Sequence, residues 1–156
     1  MKTFAFSLEK VLKLRKHSED EARIELGRAI SVLAAFEQKL FALIGEIARA
    51  QREQFNPENT AIQMQQYMFY LIRLDNTREQ LLNEIAMAEM KVEQARDAFL
   101  EASRERKVLD KLKEKRYKEY RKEVLDEETK TLDDISTAAQ SRRQGNYEVH
   151  GESPDL

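Results

Sequence analysis

Asn56-Pro57-Glu58-Asn59-Thr60 is the stretch on which the fold depends. It is the one good internal turn candidate in a chain of 156 residues with 4 Gly and 2 Pro. The prolines are Pro57 and Pro154, the glycines Gly27, Gly45, Gly145 and Gly151, so no helix breaker stands between Pro57 and Gly145. A compact fold of this length needs several turns built from Gly, Pro, Asn and Asp. A chain with one turn reads as two long rods. Asn56 can cap a helix with Pro57 at its first position, or Thr60 can cap with Gln63 three residues on. Either choice starts the second helix between 57 and 61.

Working outward from the turn, the hydrophobic period supports the rods. Stepping +4, +3 from Leu8 to Gln54 meets eleven apolar residues in fourteen positions, the exceptions being Arg15, Glu19 and Gln54. The same stepping from Met64 to Leu109 meets twelve in fourteen, with Arg78 and Arg106 the exceptions. Glu, Lys, Arg and Gln dominate between these positions, as on the solvated faces of a coiled coil. Alternation of period two is absent, so β structure has no support. The expected fold is all-α: a long antiparallel two-helix coiled-coil hairpin, with arms of about 75 Å at 1.5 Å per residue. The expected boundaries are helix 1 over about 4–55, a turn at 56–60, and helix 2 over about 61–138. Together these make one hairpin domain over 1–140. Residues 110–140 read as helix with a weakened seam, and 141–156, polar and holding two glycines and a proline, as a disordered tail.

Composition removes whole classes of function. There is no Cys, hence no disulfide, thiolate metal site or cysteine nucleophile. No apolar run approaches the ~18–20 residues that cross a bilayer, and Met1–Ser7 lead into charged sequence without a signal-peptide core. A soluble, cytoplasmic chain is expected. A two-stranded seam encloses no concave, water-excluding site, so an enzyme is not expected. The histidines, His17 and His150, stand far apart, and one His among exposed acids is not a metal site. Acidic clusters such as Glu19-Asp20-Glu21 and Asp126-Glu127-Glu128 have nothing on an exposed helix to tune them for acid–base work. No glycine-rich phosphate loop occurs. No catalytic residue, cofactor or metal is therefore expected.

Charge and aromatic residues mark two candidate surfaces. With 27 Lys+Arg and 29 Asp+Glu the net charge is -2, but it is uneven. Arg104–Glu123 carries an excess of +5, and Asp126 to the C-terminus an excess of -5. Interleaved Glu114 and Glu119 blunt any attraction to phosphates, so nucleic acid is not an expected partner. The hairpin places Phe4 and Phe6 beside Tyr117, Tyr120 and the cations Lys111, Lys113, Lys115, Arg116, Lys118, Arg121 and Lys122. That terminal end suits a protein with an acidic surface. Nearer the turn, Phe69, Tyr70 and Ile72 flank the seam on one helix, and Phe41 and Ile44 on the other. A two-helix seam cannot bury them all, and grouped exposed apolar residues mark a partner surface. Met64, Met68, Met87 and Met90 read first as flexible packing at or beside the seam, and second as an adaptable partner face.

Several stretches together resemble the bacterial flagellar export protein family FliJ. They are Phe4-x-Phe6-x-Leu8-Glu9-Lys10-Val11-Leu12-x-Leu14-Arg15 with Glu21-Ala22 and Leu26-Gly27, then Tyr67–Leu74, and then Arg104 to Leu112 with the charged run Lys118 to Asp134. The likeness covers about residues 4–138 and rests on the whole layout. It implies a non-enzymatic stalk and general chaperone of the flagellar type III export apparatus, shaped like the central stalk of rotary ATPases. It implies three partners: the hexameric flagellar export ATPase at the terminal end, a membrane export gate protein near the turn, and export chaperones. It also implies a location in the cytoplasm, peripheral to the inner membrane and without insertion into it, and a role in flagellum biogenesis and motility. The positions matching the gate-binding surface are Tyr70, Leu74, Thr77 and Leu81, beside Phe41 and Ile44; Thr77 stands where the family has a small apolar residue. Two alternatives are a coiled-coil scaffold or client-binding chaperone without an ATPase, and the equivalent stalk of a non-flagellar type III secretion system.

Overall fold

The computed structural model describes residues 3–148. It contains two helices, α1 over Glu9–Gln54 and α2 over Ala61–Glu148, packed on each other as a hairpin. The turn forms where the sequence placed it. Asn56 accepts from the Glu58 amide through Oδ1 (3.2 Å), and the Asn59 side chain donates to the Gln54 carbonyl (3.3 Å) and to that of Glu53. Two of the orphan carbonyls at the end of α1 are thereby satisfied. Of the two capping choices, Thr60 prevails. Its Oγ1 accepts from the Gln63 amide (3.3 Å), and Gln63 Oε1 accepts from the Thr60 amide (2.9 Å), a reciprocal capping box.

Two units are distinguished along the chain, one being Val11–Lys107 and the other Met1–Lys10 with Val108–Leu156. In the first, α1 and α2 meet through the predicted seam. Leu43, Ala50, Leu74, Leu81 and Ile85 are buried, with Leu33, Phe36, Leu40, Ile47, Tyr70 and Leu71 packed against them. Ala88 and Val92 continue the burial along α2. In the second unit the described N-terminal residues lie along α2, and Lys113 Nζ reaches Glu9 Oε2 at 2.8 Å.

Two boundaries differ from the sequence reading. First, α1 begins at Glu9 rather than near residue 4; Ser7 and Leu8 form a turn, and the Glu9 amide donates to the Phe6 carbonyl at 3.1 Å. Phe4 and Phe6 lie in the non-helical segment before it, from which the Phe4 ring packs onto Tyr117 and Tyr120 of α2. Second, α2 runs to Glu148, well past 138, so 141–148 is helix and not the disordered tail expected. The reason is local. Ala138, Ala139, Gln140, Arg142, Arg143 and Gln144 are good helix formers, and Gly145 costs only about 1 kcal/mol. The rest of that expected tail, 149–156, lies outside the described residues.

Candidate interaction surfaces

Among the described residues no group of three or more His, Asp or Glu side chains is arranged to hold a metal ion, and no helix is long and apolar enough to cross a membrane. The candidate residues form surfaces, one in each unit.

In the unit containing the N-terminal segment, Phe4 sits edge-on to Tyr117 with centroids 5.3 Å apart and planes at 77°. Its centroid lies 5.5 Å from that of Tyr120. Tyr117 and Tyr120 are one helical turn apart, so both rings reach the same extended segment. Phe4, Phe6 and Tyr120 are half-buried, and only Tyr117 stays exposed. Three of the four aromatics expected as open anchors, Phe4, Tyr117 and Tyr120, thus hold the N-terminal segment on α2. The cations around them divide by partner. Lys113 pairs with Glu9, and Lys118 Nζ lies 2.6 Å from Glu114 Oε1. That hydrogen bond from Lys118 holds the Glu114 carboxyl below its ordinary value. Lys111, Lys115, Arg116, Arg121 and Lys122 are all exposed.

In the other unit, the six tip residues read from the sequence do not form one surface. Leu74 and Leu81 are each only 8% exposed and belong to the core. Tyr70 is half-buried against that core, and its hydroxyl donates to Glu46, which raises its pKa. Phe41, Ile44 and Thr77 are exposed; the Thr77 hydroxyl donates back to the Arg73 carbonyl at 2.9 Å. The correction follows from helical geometry. Leu74 and Leu81 occupy seam steps seven residues apart, and a seam step faces the other helix.

A different apolar face is present. At 100° per residue Phe41 and Ile44 fall within an arc of about 60° on α1, on the side of the seam away from Glu46, and Phe55 follows the last residue of that helix. Met64, Met68 and Ile72 fall on the matching side of α2, away from Tyr70. All six are exposed, Phe41 at 82% and Phe55 at 76%. Phe55 was not singled out in the sequence because it falls beside the turn, outside the seam register. The methionines prove to be surface rather than seam filling.

Sequence reasoning also passed over a polar layer. Glu19 occupies a seam step and is 5% exposed, with Ser103 opposite it at 8%. Arg106 donates through Nε to Glu19 Oε2, and Arg23 lies 3.8 Å away. Hydrogen bonding from Arg106, opposed by burial and aided by its charge, by Ser103 and by Arg23, holds the Glu19 carboxyl below its ordinary value. Arg15 pairs with Glu105 one turn along. The signal was present as two seam positions, Glu19 and Arg106, that broke the apolar pattern.

Comparison with known proteins gives concordant results. The family model described as flagellar FliJ protein matches residues 4–145. A curated relative, the flagellar FliJ protein of Bacillus subtilis (strain 168), is 25% identical over 136 residues, covering 85% of this chain and 92% of the relative. Among solved structures, CT670 of Chlamydia trachomatis, described as a YscO homologue, superposes with a TM-score of 0.59 at 20% identity. The match covers 92% of this chain and 99% of that one, a likeness of fold.

Proposed function

Because the chain belongs to the flagellar FliJ protein family, we propose that it is a non-enzymatic stalk and chaperone component of the flagellar type III export apparatus. In this reading it acts at the cytoplasmic side of the inner membrane and couples a hexameric export ATPase to a membrane export gate. The observation that carries the reading is that the two units present unlike surfaces. One offers cations around an aromatic clamp, and the other an apolar face beside the turn.

The clamped end engages the ATPase. Lys111, Lys115, Arg116, Arg121 and Lys122 supply long-range attraction and orientation toward an acidic surface. Exposed Tyr117 supplies an apolar contact that lengthens the encounter. The face of Phe41, Ile44, Phe55, Met64, Met68 and Ile72 binds the export gate. Unbranched methionine chains let such a face adapt to its partner, which also suits transient contact with export chaperones.

The test measures ATPase stimulation and gate binding on the same variants. Lys115→Glu/Arg116→Glu/Lys118→Glu is expected to abolish most stimulation, and stimulation by the unaltered chain to fall as salt rises. Phe41→Ala/Ile44→Ala is expected to keep stimulation and lose gate binding. Loss of stimulation in the apolar variant, with retention in the charge-reversed one, would mean that the two ends are assigned the wrong way round.

A further inference from the structure

Beyond the N-terminal clamp, α2 continues without a covering element among the described residues. Every residue from Leu125 to Gln144 is exposed. Yet this stretch is not uniformly polar. At 100° per residue Val124, Leu125, Leu132, Ile135, Ala138 and Ala139 fall within an arc of about 140°. Leu125, Leu132 and Ile135 are 54%, 67% and 60% exposed. The stripe continues the side of α2 that Phe4 covers at Tyr117 and Tyr120, and a groove of ≈ 450 Å³ opens on it beside Val124 and Leu132. Most helical stability in proteins comes from packing of an apolar face, so a partner for the stripe adds to the stability of this helix.

Charged residues interrupt the stripe, and the places of two of them identify the occupant. Glu128 and Arg142 stand seven residues before and seven after Ile135. Seven residues return a helix to within about 20° of the same direction, so all three share one side. The stripe is therefore complementary to itself when reversed. We propose that it is the docking site for a second copy of this chain, in a symmetric antiparallel pair centred on Ile135. Glu128 of each copy then faces Arg142 of the other, Leu132 meets Ala138, and the two Ile135 side chains meet on the two-fold axis. A parallel pair is disfavoured because it stacks Glu128 on Glu128 and Arg142 on Arg142. Residues 149–156 are poorly matched to the groove, because they carry Glu152 and Asp155 and no Lys or Arg, the same sign as Glu127 and Glu128 that line it. The pairing is independent of the proposed export role, and either can fail alone.

The chain has no Cys, so single cysteines report the geometry directly. In the full-length protein, Ile135→Cys is expected to form a disulfide dimer under mild oxidation. Leu125→Cys, lying about 30 Å from its copy in the antiparallel arrangement, is not. Sedimentation equilibrium on the unaltered chain is expected to show concentration-dependent dimerisation. Glu128→Arg is expected to weaken it by about tenfold, and Glu128→Arg/Arg142→Glu to restore it. Unchanged far-ultraviolet circular dichroism would show that each variant keeps its helices. A monomer at every concentration up to the millimolar range overturns the proposal. So does equal cross-linking at 125 and 135, or a double reversal no better than the single one.

Discussion

Arg106→Met tests whether the polar layer in the seam behaves as a coupled buried pair. The Glu19 side chain is 7% exposed and that of Arg106 24%, so the carboxylate is the more deeply placed partner. Removing one member of a buried ion pair costs roughly 3–5 kcal/mol, because the other is left charged and unpaired. Two features of this site reduce the figure. Water reaches part of Arg106, and Arg23 at 3.8 Å can partly replace it. The expected loss is therefore about 2–3 kcal/mol, a fall in Tm of roughly 4–12 °C for a chain of this size. Urea unfolding followed by circular dichroism at pH 7 measures it. Glu19→Leu combined with Arg106→Met removes both charges and is expected to return to within about 1 kcal/mol of the unaltered chain. The pH dependence has a definite sign. The Glu19 carboxyl lies below its ordinary value of 4.5 in the folded state. Its contribution is fully present above that value and is lost as pH falls through the folded pKa. The deficit of Arg106→Met should thus shrink in acid, where Glu19 is protonated. A deficit below about 0.5 kcal/mol at pH 7, or an equal deficit at pH 7 and pH 3, refutes the reasoning.

Gly45→Ala is expected to raise Tm by about 2–4 °C: the site is mid-helix with nothing within 4 Å of an added Cβ, and the exchange is worth about 1 kcal/mol. Leu74→Ala should cost about 2–4 kcal/mol in denaturant unfolding, whereas Phe41→Ala, at 82% exposure, should cost less than about 0.5 kcal/mol; equal losses would place Phe41 in the core. Thr60→Ala removes the capping box and should lower stability by about 1 kcal/mol in the same assay, with Thr60→Ser retaining most of it.

The turn and the seam were legible because each is a local or periodic property of the chain. Asn56 to Thr60 concentrates the residues that stop and restart a helix, and the +4, +3 stepping from Leu8 and from Met64 states which side of each helix avoids water. The family resemblance was readable for the same reason, since it resides in that layout. Other features depended on what stands opposite a residue, which periodicity does not contain. Glu19 and Arg106 each looked like a lapse in an apolar pattern; facing one another they are a bonded layer. Leu74 and Leu81 matched a partner-binding pattern, yet packing against α1 puts them in the core, while Phe55, Met64 and Met68 remain outside. Phe4 and Phe6 read as the start of a helix, but their segment is not helical, and Phe4 packs on Tyr117 and Tyr120. Helix, turn and apolar stripe follow from interactions within a few residues of sequence. Which charges pair, which aromatics are covered and which apolar face is left open follow from contacts between residues up to about a hundred positions apart, and only the tertiary structure decides those.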